Sequence, residues 1–266
     1  MSPVTLPHAV DEFDEIERHL RGRQVALFLD YDGTLTPIVE RPELAILSTE
    51  MRRVVATLAA QLPVAIVSGR DRADVEQLVG LDSLYYAGSH GFDISGPDGL
   101  QRIHPAGNAA AASLDRATNE LGVELKHVDG ALIERKRFAV AVHFRLVAAE
   151  HRDRVRTAFE DVASRHSGLR VTGGKCVYEL RPDVAWGKGF AVQWLLELFA
   201  QDAETSLPCY IGDDETDEDA FAVVADRGIG ILVAEEPPDT KAQYYLRSPM
   251  EVKEFLQCVH RVAPVI

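Results

Sequence analysis

Cysteine is scarce in this chain: three residues in 266, Cys176, Cys209 and Cys258, with no CxxC pair and one thiol necessarily unmatched. That count excludes a disulfide-stapled scaffold, disfavours a zinc site and fits a reducing cytoplasm. Long apolar runs are missing as well, since no stretch approaches the roughly 18 to 20 residues that a membrane span needs. The opening "MSPVTLPHAVDEFDEIERHL" lacks the basic and apolar blocks of a secretory signal, so a cytoplasmic location is expected. Basic residues are outnumbered 28 to 42, for a formal charge of −14. Such a balance disfavours nucleic acid and anionic membranes as partners and leaves a small molecule as the expected one. Oligomeric state is unknown at this level.

The content is 46% hydrophobic, enough for one large or two smaller cores. Strand-like runs alternate with helical patterns: "VALFL", then "STEMRRVVATLAA" capped by Ser48, then "LPVAIVSGR", "RADVEQLVG" closed by Gly80, and "LYYAG". The same rhythm resumes after residue 182, with "GKGFAVQWLLELFA", "LPCYIGDD", a helix from Thr216 with Asp219 in capping-box position, "IGILVA" and a last helix opening at "SPME" with Glu251 completing the box. Short apolar strands alternating with helices predict an α/β fold with a mostly parallel sheet covered on both faces.

The middle differs. Helices are expected near 108 to 122 and 150 to 166, with alternating strands in "ALIERKRFAVAVHFR" and in "LRVTGGKCVYELR", the latter folding at Gly173 and Gly174. Residues 106 to 182 hold 13 Lys and Arg against 10 Asp and Glu, whereas the remainder holds 15 against 32. A mildly basic α+β insertion, 106–182, therefore interrupts an acidic core domain made of 1–105 and 183–266.

Polar clusters follow the strands of that core, where open α/β sheets place their sites. Asp30 and Asp32 follow the first strand, Ser68 and Gly69 the second, and Asp213, Asp214 and Asp217 the strand "CYIG"; Lys188 starts the helix after the insertion. Two carboxylates at the end of a buried strand raise each other's pKa unless a cation or a shared proton compensates. With Asp213 they make an oxygen-only set suited to Mg²⁺. Each cluster alone also reads as ordinary turn or cap chemistry, and Ser68 alone as a helix cap. An EF-hand reading of "DYDGTL" fails, because its glycine comes too early and the twelfth ligand is absent. A hydroxyl, backbone N–H groups at a helix start and an ammonium are what a phosphate needs to be held.

In order, "DYDGTL", "SGR", Lys188 in "WGKG" and "GDDETDE" resemble the four motifs of the haloacid dehalogenase (HAD) superfamily of phosphotransferases. The resemblance implies a Rossmann-like core in which Asp30 attacks phosphorus and Asp32 acts as general acid and then base. It also implies Mg²⁺ held by Asp30, Asp32 and Asp213, a surrounding shell tuned by Asp214 and Asp217, and phosphoryl oxygens held by Ser68, Gly69 and Lys188. The insertion lies where the type 2 cap of that superfamily lies. Through "AGSHG", "IERKRFAVAVHFR" and "GGKCVYELRP" it is similar to trehalose-6-phosphate phosphatases.

Residues two apart in a strand share a face, so Glu134 with Lys136, His143 with Arg145, and Lys175 with Glu179 are expected to project together toward sugar hydroxyls. The same spacing fits solvated faces of a two-layer insertion, and His143 fits a backbone-bonded imidazole. His90 and Gly91 precede the insertion in a loop expected to close the sugar pocket. Trp186 either stacks on a sugar or caps the core. The function implied is hydrolysis of trehalose 6-phosphate to trehalose and phosphate. Rival readings are a phosphatase of sucrose 6-phosphate or a glycosyl phosphoglycerate, a noncatalytic sugar-phosphate sensor, and an acidic ion buffer.

Overall fold

The computed structural model describes residues 6–174, 176–199 and 206–262. They divide into two compact units, one of residues 1–101 with 186–266 and the other of residues 102–185. The expected boundaries at 106 and 182 lie three to four residues inside those division points.

The first unit contains α1 (Phe13–Leu20), β1 (Gln24–Leu29), α2 (Thr49–Ala59), β2 (Val64–Val67), α3 (Arg72–Val79), β3 (Tyr85–Gly88) and β4 (Asp93–Ser95). Strand β5 (Gln101–Ile103) leads out of it. In the inserted unit follow α4 (Pro105–Ala109), α5 (Ala111–Glu124), β6 (Leu132–Lys136), β7 (Ala139–His143), α6 (Arg152–Ser164), β8 (Leu169–Gly174) and β9 (Val177–Pro182). The chain then returns through α7 (Lys188–Phe199), β10 (Ser206–Gly212), α8 (Glu218–Val224), β11 (Ile229–Val233), β12 (Tyr244–Leu246) and α9 (Pro249–Val262).

Strand order in the first unit runs β12-β11-β10-β1-β2-β3-β4. All neighbours are parallel except β3 and β4. Period-two alternation sends the two faces of each strand into different cores. Val25, Leu27 and Leu29 of β1 pack with α1, α2, α3 and α9, whereas Ala26 and Phe28 pack with α7 and α8. Because both faces are covered, β1 reads as an unbroken apolar run rather than an alternating one. The chain leaves β1 toward β2 on one side while β10 flanks the other, so the C-terminal ends of β1 and β10 border a topological switch point.

Ser48 caps α2 by accepting the Met51 N–H at 3.1 Å, and Gly80 ends α3 in the left-handed region at φ 62°. Two other caps differ from expectation. The capping box before α8 joins Asp214 and Asp217 across a 3-10 turn (Glu215–Asp217), not Thr216 and Asp219. At α9 the Ser248 Oγ accepts the Glu251 N–H at 3.5 Å, but the Glu251 carboxylate accepts the Arg247 N–H at 2.6 Å, one residue ahead of Ser248, and also bonds His8. The early segment packs: Ile16 and Leu20 of α1 are buried, and Phe13 meets Phe255 edge to face at 5.7 Å.

The inserted unit is a four-stranded antiparallel sheet, β6-β7-β9-β8, with Val140, Val142 and Leu180 packed against α5 and α6 on one face. The β8–β9 hairpin turns later than expected. Gly174 still pairs with Val177, and the chain reverses through Cys176 at φ 65°.

Arg52 of α2 donates to the Val79 and Leu78 carbonyls, satisfying the last turn of α3, the helix that follows the "SGR" loop. Replacing it, Arg52→Ala, leaves those carbonyls to solvent and removes two charge-assisted bonds. The expected loss is about 1–2 kcal/mol of stability, seen as a lower urea midpoint with an unchanged slope.

Candidate active site

Asp30 stands one residue beyond β1, where its N–H donates to the Ile211 carbonyl of β10 at 2.9 Å. Asp213 follows β10 directly. The two strand ends thus bring together Asp30, 5% exposed, Asp213, 8% exposed, and Asp217, fully buried, with carboxylate oxygens within 4.8 Å of one another. Two glycines make this crowding possible. Gly33 adopts φ +81°, and a Cβ there would overlap the Asp213 carboxylate; a Cβ on Gly212 would overlap that of Asp217.

Lys188, the first residue of α7 and 2% exposed, places its ammonium 2.8 Å from Asp217 Oδ1 and 3.0 Å from Asp30 Oδ1. Burial alone would discharge it, but Asp217 and Asp30 hold it charged well above the ordinary lysine range. Asp30 shows the opposite balance. Burial pushes its carboxyl well above the usual range; Lys188 works against that shift, and Asp217, Asp213 and Asp32 add to it. One ammonium does not neutralise three carboxylates. A buried, oxygen-only, net-negative donor set fits a hard divalent cation, which would supply the missing charge and favour the anionic form of Asp30.

Asp217 is saturated. Its Oδ2 accepts the N–H groups of Asp213 and Asp214, each at 3.0 Å, and its Oδ1 accepts from Lys188 and from the Tyr210 hydroxyl. Asp214 caps the 3-10 turn by accepting the Glu215 N–H at 2.7 Å. The acidic run "DDETDE" therefore folds into one inward carboxylate, one cap and one orienting hub.

Asp32 is paired with an arginine. Both its oxygens are engaged by Arg70, Nε to Oδ2 at 2.7 Å and Nη2 to Oδ1 at 2.8 Å, and its side chain is 41% exposed. The carboxylates that share the cluster are Asp30, Asp213 and Asp217, while the Asp32 carboxylate is held by Arg70. Arg70 also donates to Asp74 at 3.0 Å and to the Pro42 carbonyl at 2.7 Å, while its guanidinium lies over the Tyr31 ring at 5.4 Å. It stands in the "SGR" motif, but its partner 38 positions upstream is invisible to local spacing.

Ser68 is buried and its Oγ accepts the Arg70 N–H at 3.1 Å. The segment 89–91 is tied to it: Ser89 N–H donates to the Arg70 carbonyl at 2.6 Å and His90 N–H to the Ser68 carbonyl at 2.9 Å. Ser89, His90 and Gly91 all lie at positive φ, 49°, 56° and 91°, which costs on the order of 1–3 kcal/mol for each non-glycine residue. The strain seats the buried His90 ring against Gly69, where a Cβ would come within 2.9 Å of it. His90 and Gly91 thus belong to the first unit, beside the "SGR" loop. Trp186 is half-buried and stacks on the exposed Phe190 at 5.6 Å.

In the inserted unit, the sheet face opposite α5 and α6 carries Glu134, Lys136, His143 and Glu179 around the small Ala139 and Ala141. Two side-chain pairs run across strands. Lys136 bonds Glu179 at 2.9 Å and His143 bonds Glu134 at 2.8 Å, so His143 is tied to a side chain. Arg145 lies in the turn after β7, and Lys175 falls outside the described residues.

Gly33→Ala tests the crowding at the strand ends. It combines an unfavourable φ with an overlap on Asp213, so a loss of about 1–3 kcal/mol is expected, measured by denaturant unfolding. Gly99→Ala, at φ +78° with open space around it, is expected to lose less.

The sequence profile of "Trehalose-phosphatase" matches residues 28–250. Relatives include a probable trehalose-phosphate phosphatase of Arabidopsis thaliana, 42% identical over 262 residues, covering 94% of this chain and 71% of that protein. The trehalose 6-phosphate phosphatase RA3 of Zea mays is 40% identical over 266 residues, covering 94% and 74%. An uncharacterised glycosyl hydrolase of Mycobacterium tuberculosis is 45% identical over 258 residues; the match covers 95% of this chain but only 19% of that protein. Among solved structures, the C-terminal domain of a C. albicans trehalose-6-phosphate phosphatase shares the fold with TM-score 0.84 at 23% identity, covering 98% of this chain and 100% of that one. With a profile match over most of its length and relatives above 40% identity, this chain belongs to the trehalose-phosphatase family.

Proposed function

We propose that the chain hydrolyses trehalose 6-phosphate to trehalose and inorganic phosphate, as a step of trehalose biosynthesis, with Mg²⁺ as cofactor. The observation that carries this reading is a buried Asp30, Asp213 and Lys188 constellation at the strand ends of a chain that belongs to the trehalose-phosphatase family. Asp30 and Asp213 would hold the cation, and Asp217 would keep both and Lys188 in place. A bound Mg²⁺ supplies charge neutralisation between carboxylate and phosphoryl oxygens.

In this reading an Asp30 oxygen attacks phosphorus, forming an Asp–O–P bond while the bond from phosphorus to the sugar oxygen breaks. The electron pair leaves on that oxygen, which takes a proton from the acid form of Asp32. Water then gives its proton to Asp32 and attacks phosphorus, releasing phosphate and the free Asp30 carboxylate. Asp32 must surrender one of its two Arg70 bonds to do this, so the pair with Arg70 fixes its starting position. Ser68, the Gly69 N–H and Lys188 would hold the phosphoryl oxygens.

Glu134, Lys136 and Glu179 are proposed to meet sugar hydroxyls, carboxylates accepting and the ammonium donating, with Lys175, His143 and Arg145 as further contacts. A cytoplasmic site of action fits three free thiols. No helix among the described residues is long and apolar enough to cross a membrane.

Phosphate release measured side by side from trehalose 6-phosphate and from sucrose, glucose and mannose phosphates tests the substrate. Preference for trehalose 6-phosphate is expected; equal turnover of simple hexose phosphates would sink the assignment. EDTA is expected to abolish turnover, with Mg²⁺ restoring it and Ca²⁺ restoring it poorly because its looser shell misplaces the nucleophile. Glu134→Ala and Glu179→Ala are expected to cut kcat/KM for trehalose 6-phosphate by about 10-fold or more and leave an aryl phosphate within about twofold. Equal losses on both substrates would remove these residues from sugar recognition.

A further inference from the structure

We propose that Tyr210 is a positioning residue of the phosphoryl-transfer site, acting through Asp217 to keep the Lys188 ammonium shared with Asp30. The inference rests on the reading above, in which Lys188 holds a phosphoryl oxygen.

Tyr210 lies on β10, fully buried in the core beneath α7 and α8, and its ring meets Phe221 edge to face at 5.5 Å and 87°. Two residues on, Gly212 shares its face of the strand, and the space a Cβ would fill there is taken by the Asp217 carboxyl group. Strand geometry therefore lines up the phenol, the gap at Gly212 and the carboxylate. The Tyr210 hydroxyl donates to Asp217 Oδ1, the same oxygen that accepts the Lys188 ammonium at 2.8 Å.

The consequence follows from counting donors. Asp217 is a fully buried anion with four donors: two backbone N–H groups on Oδ2, and the phenol and the ammonium on Oδ1. If the phenol is removed, the ammonium becomes the sole compensation at Oδ1, and in a dry interior it is drawn toward that oxygen. Lys188 stands 3.0 Å from Asp30 Oδ1 and has three N–H donors, one for each carboxylate and one for the phosphoryl oxygen. Its placement between the two carboxylates is what a developing charge on phosphorus would need. The phenol meets no reacting atom, and burial keeps it neutral, hence a donor, by pushing its ionisation well above the ordinary tyrosine range.

Tyr210→Phe tests this, since it removes one oxygen and keeps the ring and its contact with Phe221. Kinetics with an aryl phosphate and with trehalose 6-phosphate, both with saturating Mg²⁺, are expected to show kcat lower by about 10- to 100-fold with KM within about twofold. The inhibition constant of orthovanadate, a mimic of the pentacoordinate phosphoryl group, is expected to rise by the same factor as kcat/KM falls. In a Lys188→Ala background the same change is expected to cost less than about twofold. Phe221→Leu, which loosens the ring packing but keeps the hydroxyl, is expected to lower the melting temperature while leaving kcat and the vanadate constant near wild type.

A Y210F kcat within about twofold of wild type, a vanadate constant that does not move with kcat/KM, or an F221L enzyme that loses kcat equally would overturn the proposal. The aryl phosphate separates the two readings. If wild type cleaves it but not trehalose 6-phosphate, the sugar assignment falls while the Tyr210 comparison still decides on the aryl substrate.

Discussion

Three carboxylates, Asp30, Asp213 and Asp217, are held out of water within 4.8 Å of one another, with the Lys188 ammonium among them. Like charges at that distance in a poorly hydrated interior repel strongly, and each also loses its hydration. The surrounding structure answers that cost residue by residue. Backbone N–H groups of Asp213 and Asp214 face Asp217, α7 delivers Lys188 at its first turn, and β10 supplies the Tyr210 hydroxyl. What remains uncompensated is concentrated on Asp30, whose carboxyl is pushed well above its usual range by burial. That residual deficit of positive charge is what the proposed divalent cation would fill.

The parallel sheet serves the same arrangement. β1 and β10 pair from Gln24 with Ser206 through Leu29 with Ile211, and this register, continued, sets Asp30 beside Gly212 with Asp213 one residue further on. Asp30 and Asp213, 183 positions apart in the chain, are neighbours because of it. The strained turn at 89–91 and the Arg70 fork on Asp32 extend the ordering to the loops after β2 and β3. Backbone strain, a buried guanidinium and overlapping glycines all sit within these few loops, where their cost is offset by the packed sheet beneath.

The sheet, its helices and the insertion were legible in the sequence because they rest on period and composition. "VALFL" and "VAIV" are apolar and buried on both faces, whereas "LIERK" is mostly charged and only partly buried. Cap details were less legible. Thr216 with Asp219 matched the capping-box spacing, but Asp214 with Asp217 forms the box because Asp217 is also claimed by Lys188 and Tyr210. Partners distant in sequence were not legible at all. Arg70 with Asp32, Tyr210 with Asp217, and the cross-strand pairs Lys136 with Glu179 and His143 with Glu134 depend on register and on rotamers that no local pattern encodes. Along-strand spacing placed Glu134 and Lys136 on one face of the inserted sheet, but the bonds of each to another strand lay outside its reach.

The account's central claim is that Asp30, alone among the clustered carboxylates, carries the phosphoryl group. Rapid acid quench of the enzyme during turnover of trehalose 6-phosphate, followed by peptide mass analysis, locates a covalent phosphate directly. The account predicts phosphorylation on the peptide spanning Asp30, lost in Asp30→Asn and discharged by hydroxylamine as an acyl phosphate is. Turnover at the wild-type rate by Asp30→Asn, or phosphate trapped on any other residue, would contradict it.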